Sequence, residues 1–325
     1  MPVLRLFLSL FLIMGLPAAA VAEGDYPSKP VRIVVGFGPG SAADLTARVV
    51  AQRLSKTMGQ QFIVENKPGG GSTVAADQVV RGPKDGYMLF IGTVANVINA
   101  VMQPNLAFDF SKDFAPIAYT TSSPNILVVH PSTGVNDVKE LIALLKAKPE
   151  QVFFGSSGVG TSPHLSGELF NMMAGTKMVH VPYSGSAQAV TDLLAGRTQV
   201  MFSPASTVLQ YVEAGQLKAL ASSERMRATA APALPTVGEA GLPGFDTSVW
   251  FGVMGPAGIP REIVEKLSLG INEALGNEEV TIPLRAAGLD IKGGTPEQFG
   301  DFIASETKKW NDVVAAAGLR NQPPK

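Results

Sequence analysis

Residues 31–66 read VRIVVGFGPGSAADLTARVVAQRLSKTMGQQFIVEN, and this stretch determines the fold class. Its first five residues are β-branched or apolar apart from one arginine and predict a buried strand, and residues 42–57 have the apolar spacing of a helix. Gly59 predicts the end of that helix, and residues 61–66 predict a second strand. A strand, a glycine-rich turn, a helix and a strand form a βαβ unit, the building block of parallel α/β sheets.

The same alternation of strands and helices continues along most of the chain. Further strands are predicted at 87–92, 125–131, 151–156, 177–183, 198–203, 217–223 and 249–256, and further helices near 72–81, 136–147, 163–174, 186–195 and 205–214. Residues 151–185 repeat the order of residues 31–70, with a glycine-rich turn after the first strand of each unit. Thr295 and Gln298 predict the capped start of a C-terminal helix. The chain is therefore predicted to be an α/β protein with two related βαβ units.

The predicted strands at 125–131 and 249–256 each end in a proline and are interpreted as crossings between two lobes. A chain of 325 residues exceeds what one hydrophobic core usually organises. We expect lobe 1 to contain residues 23–123 plus 248–325, and lobe 2 to contain residues 124–247. One glycine-rich turn from each lobe would then border a shared cleft, because α/β folds bind ligands at the carboxyl ends of their strands.

The first residues have the pattern of a secretory signal. Arg5 gives a basic start, residues 6–16 form an apolar run, and the small residues 20–22 offer a cleavage site. We therefore expect a signal peptide over residues 1–22 and an exported mature protein. The apolar run is shorter than the roughly 20 residues that span a bilayer, so no stable membrane anchor is predicted.

The composition limits the partners. A net charge of −1 argues against nucleic acid or an anionic membrane surface, and the chain contains no cysteine for disulfides or thiolate metal sites. His130, His164 and His180 stand at unrelated spacings without clustered carboxylates, so neither a metal nor a cofactor is predicted. We expect a monomer that binds a small molecule.

The first candidate binding loop is GFGPGS, residues 36–41, between the first strand and the first helix. Its glycines permit a tight turn with exposed backbone N–H groups, and a helix N-terminus adds partial positive charge, so a carboxylate is the expected ligand. The alternative is an ordinary strand-to-helix turn, which the density of glycine and serine makes less favoured. The candidate residues are Phe37, Gly38, Pro39, Gly40 and Ser41.

Asp44 has a structural and a functional interpretation. Ser41 and Asp44 are spaced as in a capping box, and Asp44 can pair with Arg48 one turn later. A carboxylate here would repel a bound anion unless its charge is already satisfied, which favours the structural role. Contact with a ligand hydroxyl or a bridging water is the alternative, so Asp44 stays among the candidates.

The second candidate loop is GSSGVGTSPH, residues 155–164. Its hydroxyls and backbone amides can bind an anion without arginine or lysine, which permits release as well as capture. The alternative is a flexible loop in which Ser162 caps the following helix. The candidates here are Ser156, Ser157, Gly160, Thr161 and His164. Weaker candidates follow other strands: Thr93, Asn96, Tyr183 and Ser203.

The alternative function is an exported dinucleotide-binding oxidoreductase. Residues 36–41 match half of a GxGxxG motif, and Glu65 ends the next strand. However, Ser41 stands where the third glycine is required, and Asp44 would crowd a pyrophosphate. Because no hydrolase, Walker or metalloprotease motif is present either, we expect a binding protein without enzymatic activity.

Short motifs follow one another in a fixed order from Tyr26 to the C-terminus. They are Tyr26-Pro27-x-x-Pro30-Val31-Arg32, Phe37-x-Pro39-Gly40 with Asp44 and Ala47-Arg48, Val64-Glu65-Asn66-Lys67-Pro68-Gly69, Asp85-Gly86-Tyr87, Asp113-Phe114-x-Pro116, His164-Leu165, Val181-Pro182-Tyr183-x-Gly185 and Pro235-Thr236-x-x-Glu239. This order resembles the periplasmic receptors of the tripartite tricarboxylate transporters, also called the Bug family.

The resemblance implies a two-lobed periplasmic binding protein fold, similar to type II, with two crossing strands and a ligand cleft between the lobes. It also implies a small carboxylate ligand, taken up through membrane subunits of such a transporter or sensed. The ligands of the family range from di- and tricarboxylates to aromatic acids and amino acids. Residues 196–200, GRTQV, lack an acidic group that is common there in the family, which makes an amino acid less expected.

Overall fold

The computed structural model describes residues 26–103, 105–183 and 185–321, so the predicted signal peptide lies outside the described residues. The strands are β1 (Val31–Val35), β2 (Phe62–Asn66), β3 (Met88–Thr93), β4 (Phe114–Val129), β5 (Phe153–Ser156), β6 (Val179–Pro182), β7 (Val200–Pro204), β8 (Lys218–Ser222), β9 (Ser248–Pro256) and β10 (Asp290–Ile291). The helices are α1 (Ala42–Thr57), α2 (Thr73–Val80), α3 (Val94–Met102), α4 (Val138–Ala147), α5 (Ser162–Ala174), α6 (Ser186–Leu194), α7 (Ala205–Glu213), α8 (Arg261–Leu275), α9 (Glu278–Ala286) and α10 (Pro296–Ala316).

The strands form a mixed sheet in the order β2-β1-β3-β9-β4-β7-β5-β6, and β8 and β10 also pair with β4. β1 runs parallel to β2 and β3, while β5 runs parallel to β6 and β7. These two parallel groups contain the two predicted βαβ units, joined by α1 and α5. The antiparallel strands β9 and β4 lie between them and complete a two-lobed α/β fold.

Strand β4 connects the two parts of the sheet. It pairs with β9 up to Pro124, and from Asn125 onward it pairs with β7 and β8. Pro124 lies opposite Ser248, where the chain enters β9. The pairing partners of β4 therefore change at 124–125, opposite the start of β9. The sequence predicted only 125–131 as a strand, because polar residues at 120–123 hide the β4 segment that precedes them.

Helix α10 packs against α3 of one lobe and α5 of the other. Its predicted capping box is confirmed: Thr295 accepts the N–H of Gln298, and the Gln298 side chain accepts the N–H of Thr295. Phe299 and Trp310 on this helix are buried in a hydrophobic core that includes residues of both lobes. The C-terminal helix thus holds the lobes together on one side of the sheet.

Helices α3 and α9 and strand β10 were not predicted. α3, VANVINAVM, mixes β-branched residues with alanine and has little intrinsic helical preference, so packing rather than propensity determines it. Within the described ranges, no helix is both long enough and apolar enough to cross a membrane.

Candidate functional site

A cleft lies between the lobes at the carboxyl ends of β1, β3, β5 and β7. Its volume is about 620 Å³, within the range of roughly 300–1,000 Å³ typical of small-molecule sites. The lining residues are Phe37, Ser41, Ala42, Ala43, Gly70, Gly71, Thr93, Val94, Ala95, Asn99, Ser157, Val159, Gly160, Thr161, Ser162, Pro163, Ser186, Pro204, Val249 and Phe251. Both candidate loops therefore contribute to one cavity.

The predicted residues divide into two groups. Those that line the cleft are Phe37, Ser41, Thr93, Ser157, Gly160 and Thr161. Those that do not are Gly38, Pro39, Gly40, Asp44, Asn96, Ser156, His164, Tyr183 and Ser203. Four residues of the second group, Gly40, Asp44, Ser156 and His164, form hydrogen bonds that hold the two loops in place.

Asp44 anchors the first loop. Its carboxylate accepts hydrogen bonds from the Gly40 N–H at 2.9 Å, Arg48 Nε at 3.0 Å and Asn66 Nδ2 at 2.8 Å. The side chain is only 3% exposed. Burial by itself would raise the pKa of Asp44, but the hydrogen bonds from Arg48, Gly40 and Asn66 outweigh it and hold this pKa below its ordinary value.

The hydrogen bonds of Asp44 contradict the expectation that the glycine N–H groups of the first loop are all free to bind a carboxylate. Because the Gly40 N–H already donates to Asp44, it is not available to a ligand or to a dinucleotide pyrophosphate. The Ser41 hydroxyl accepts the Asp44 N–H at 3.2 Å, which is half of the predicted capping box. The other half differs, because the Asp44 carboxylate binds Gly40 rather than the cap residue. The loop contributes Phe37 and Ser41 to the cleft rather than a cradle of glycine amides.

The second loop presents the start of α5 to the cleft. Thr161, not Ser162, occupies the N-cap position, but its hydroxyl donates to Gly158 O at 2.7 Å and does not cap the helix. The first N–H groups of α5 thus have no side-chain cap. Ser162 and Pro163, in the first turn, line the cavity. An uncapped helix N-terminus attracts negative charge.

Two stacked histidines form hydrogen bonds with residues of this loop. The rings of His164 and His180 are 3.7 Å apart between centroids. His164 Nδ1 accepts the Gly160 N–H at 3.1 Å, and Ser156 Oγ lies 2.7 Å from His180 Nε2. Burial, together with the adjacent His164 ring, lowers the pKa of His180 to about 3. Ser156 and His164 therefore fix the shape of the loop rather than line the cleft.

Three weaker candidates lie outside the lining of the cleft. Asn96 accepts the Thr93 N–H at 3.0 Å and completes the cap of α3. Tyr183 donates its hydroxyl to Asp192 at 2.8 Å, and burial together with this bond raises the pKa of Tyr183 to about 12. Ser203 is fully buried within β7, and the cleft is lined by its neighbour Pro204 instead.

Sequence reasoning missed the glycine turn that precedes α2. Gly70 and Gly71 have positive φ angles of 55° and 59°, and their carbonyl oxygens accept hydrogen bonds from Asn99 Nδ2 at 3.2 and 2.9 Å. A Cβ on Gly36 would fall 1.9 Å from Ser72 Oγ, so glycine is required where this turn meets the first loop. The glycine run at 69–71 could have indicated a tight turn, but not its contact with α3.

Partial positive charge at the cleft comes from helix N-termini and not from basic side chains among its described lining residues. Helices α1, α3, α5, α6 and α7 all begin at its wall, through residues such as Ala42, Val94, Ser162, Ser186 and Pro204. Each helix N-terminus has partial positive charge. None of the lining residues in the described part of the chain has an ionisable side chain. Such a site can bind an anion through backbone and hydroxyl donors alone.

The described lining of the cleft contains neither a side-chain base nor a cluster of metal ligands. A nucleophile would need an adjacent base, and no ionisable side chain lies among the described lining residues. No cluster of three or more His, Cys, Asp or Glu residues that could hold a metal occurs within 26–103, 105–183 and 185–321.

Comparison with known proteins identifies relatives over nearly the whole chain. The protein family described as "Tripartite tricarboxylate transporter family receptor" matches residues 46–319. Protein BugT of Bordetella pertussis is 34% identical over 305 residues, which cover 93% of this chain and 94% of BugT.

Two solved structures from Rhodopseudomonas palustris share the fold. One, solved with adipate, is 35% identical with a TM-score of 0.75, and the alignment covers 90% of this chain and 99% of that one. The other, solved with bound malate, is 29% identical with a TM-score of 0.72, and the alignment covers 89% and 100%. The chain belongs to the receptor family of the tripartite tricarboxylate transporters, which includes the Bug proteins.

Proposed function

We propose that this protein is a periplasmic receptor that captures a small carboxylate in the cleft between its lobes and catalyses no reaction. The main observation is that five helix N-termini meet at a cavity whose described lining has no ionisable side chain. Partial positive charges favour an anion, and a carboxylate is small enough to be reached by several N–H and O–H donors at once. Related proteins were solved with adipate and malate, which supports the same class of ligand here.

Binding without a cationic side chain suits a receptor that must release its ligand. A buried arginine–carboxylate pair is strong and costly to separate, whereas each hydrogen bond to a charged group contributes about 1.5–3 kcal/mol. We propose that residues 1–22 direct export and that the loaded receptor delivers its ligand to membrane subunits of a tripartite transporter or to a sensor. Its membership of the receptor family supports this role.

We further propose that lobe 1 (23–123 plus 248–325) and lobe 2 (124–247) close on the ligand about the two crossings. The change of strand partner at Pro124 and Asn125 supports these boundaries. At the crossings, Ser223 donates to the carbonyl of Thr247 and accepts the Asn125 N–H at 3.0 Å, so one hydroxyl links both chain segments. Hinge closure about short segments is a common motion of two-lobed receptors.

Thermal unfolding and calorimetry with a panel of carboxylates test the function. A ligand present at about 100 times its Kd should add about 2.7 kcal/mol to the free energy of unfolding and raise Tm by several degrees. Mass spectrometry after incubation should recover the ligand unchanged. Conversion of the bound acid would contradict the absence of catalysis, and a panel without any binder would contradict a carboxylate receptor.

A further inference from the structure

The two sides of the cleft differ in chemistry. The side from lobe 1 contains an apolar wall, which we define as Phe37, Val94, Val249 and Phe251. The side from lobe 2 contains a hydroxyl wall, which we define as Ser157, Thr161, Ser162 and Ser186. A ligand that fills the cleft must face both walls at once.

The apolar wall is built on the central strands of the sheet. Val249 and Phe251 are two residues apart on β9 and therefore point to the same face. Phe251 lies opposite Thr93 in the pairing of β9 with β3, and Val94 follows directly at the start of α3. Phe37 and Val249 remain partly exposed. When an apolar ligand covers apolar surface in a cleft, the free energy of the complex is lowered.

Three of the four hydroxyls of the hydroxyl wall donate to no residue that the structure describes, the exception being Thr161, which donates to Gly158. Ser162 Oγ accepts a hydrogen bond from Asn125 Nδ2 at 2.9 Å, which leaves its own proton free to donate. The hydroxyls of Ser157 and Ser186 make no hydrogen bond to any residue that the structure describes. Ser157 precedes α5 and Ser186 begins α6, and neither helix has a side-chain cap, so this wall is the favoured place for the carboxylate.

We infer that the ligand is an acid with one carboxylate, bound at the hydroxyl wall, and an uncharged alkyl or aromatic body that packs on the apolar wall. This inference rests on the proposed function. The N-termini of α1 and α3 on the lobe 1 side are already capped by the side chains of Ser41 and Thr93, whereas those of α5, α6 and α7 on the lobe 2 side have no side-chain cap. A second carboxylate on the lobe 1 side would therefore lose its hydration against Val249 and Phe251 without gaining an ionic partner. An ammonium group would also lack a partner, because the Asp44 carboxylate is already bound by three donor residues and does not line the cleft.

Calorimetry with two matched pairs of acids tests this inference: hexanoate against adipate, and 4-methylbenzoate against terephthalate. The members of each pair share a carbon skeleton and differ in the second carboxylate. We expect the monocarboxylate of at least one pair to bind at least about tenfold more tightly than its partner, because the cost of an unpaired charge exceeds the 1.4 kcal/mol that corresponds to tenfold.

Two variants test which wall of the cleft distinguishes monocarboxylates from dicarboxylates. Val249→Thr keeps the side-chain shape but replaces a methyl group of the apolar wall with a hydroxyl. It should weaken the binding of the monocarboxylate several-fold and so reduce the ratio of monocarboxylate affinity to dicarboxylate affinity. Ser157→Ala, on the hydroxyl wall, should weaken both members of a pair by the same factor and leave the ratio unchanged. An unchanged ratio in Val249→Thr would contradict contact between the ligand body and this wall.

The outcomes separate the inference from the function on which it rests. If dicarboxylates bind as tightly as monocarboxylates or more tightly, the inference is wrong and the carboxylate receptor stands. If none of the four acids binds but another carboxylate of the panel does, the inference is wrong and the carboxylate receptor stands. If no carboxylate of the panel binds, both are contradicted.

Discussion

The indole nitrogens of Trp250 and Trp310 both donate hydrogen bonds to the same carboxylate oxygen of Glu306, each at 3.0 Å. Trp250 lies on β9, beside the return crossing, and Trp310 lies on α10. The other oxygen of Glu306 forms an ion pair with Lys309, whose ammonium also donates to the carbonyl of Asp246 at 2.8 Å. This buried cluster ties the C-terminal helix to the junction between the lobes.

Replacement of Glu306 should therefore destabilise the fold without altering the cleft. Glu306→Ala leaves two buried indole donors and Lys309 without their acceptor, and we expect a loss of about 3–5 kcal/mol. Glu306→Gln keeps an oxygen for the indoles and should cost less. Urea unfolding followed by circular dichroism measures both losses, and calorimetry at a temperature where the variants are folded should give an unchanged Kd. An alanine variant as stable as the wild type would show that the shared carboxylate is dispensable.

Asp44→Asn should affect stability more than affinity. Asparagine keeps one acceptor oxygen but cannot satisfy Gly40, Arg48 and Asn66 together, so we expect a loss of about 1–3 kcal/mol. Removal of a negative charge near the cleft does not weaken attraction of an anion, so the Kd should change by less than roughly tenfold. Melting curves and calorimetry separate the two effects. If binding is abolished while Tm is unchanged, Asp44 contacts the ligand directly.

The stability of the protein should fall as the pH is lowered from 7 to 5. With the pKa of His180 lowered to about 3, the folded chain leaves this ring neutral, whereas the unfolded chain protonates it near pH 6.5. Stability is thus fully present above the unfolded pKa and declines below it, by up to about 2 kcal/mol at pH 5. His180→Phe keeps an aromatic ring in the stack and should flatten the dependence of Tm on pH. His130→Asn, in the surface turn after β4, is the control and should keep the wild-type slope.

The glycine turn at the cleft should not tolerate a side chain. Gly71→Ala combines a positive φ of 59° with a Cβ only 2.6 Å from Asn99 Nδ2, so both the turn and its contact with α3 should be disturbed. Gly59→Ala is the matched control, because Gly59 has a φ of 71° and no atom within 4 Å of the added Cβ. The control should lose only about 1–2 kcal/mol from backbone strain and keep its ligand affinity. Equal losses of stability and affinity in the two variants would contradict a role for the Asn99 contact.

Local sequence patterns predicted the fold well. The bounds of β1 and α1 follow from an apolar run, a glycine-rich turn and periodic apolar residues, and the structure has both elements at the predicted residues. The motif order also identified the family. The first part of β4 and α3 were missed because their polar or β-branched residues acquire their conformation from packing against neighbours far along the chain.

The sequence predicted which loops border the cleft but not which groups are free to bind a ligand, because that depends on which N–H and O–H donors already bind other residues of the protein. The sequence shows that Gly40 and Asp44 are near each other, but not that the Gly40 N–H is bound by the Asp44 carboxylate. Val249 and Phe251 have the pattern of any buried strand, and only their place beside Thr93 at the cleft distinguishes them. These relationships join residues distant in sequence, and no local pattern contains them.

We propose that uncharged donors in this cleft bind an anion. Calorimetry of a carboxylic acid against its primary amide, such as benzoate against benzamide, tests it most directly, because the two have nearly the same shape and differ in charge. The acid should bind at least about tenfold more tightly than the amide, and Ser157→Ala should weaken the acid by about 1.5–3 kcal/mol, or roughly ten- to a hundredfold in Kd, with Tm unchanged. Equal binding of acid and amide, with no effect of Ser157→Ala, would contradict the claim.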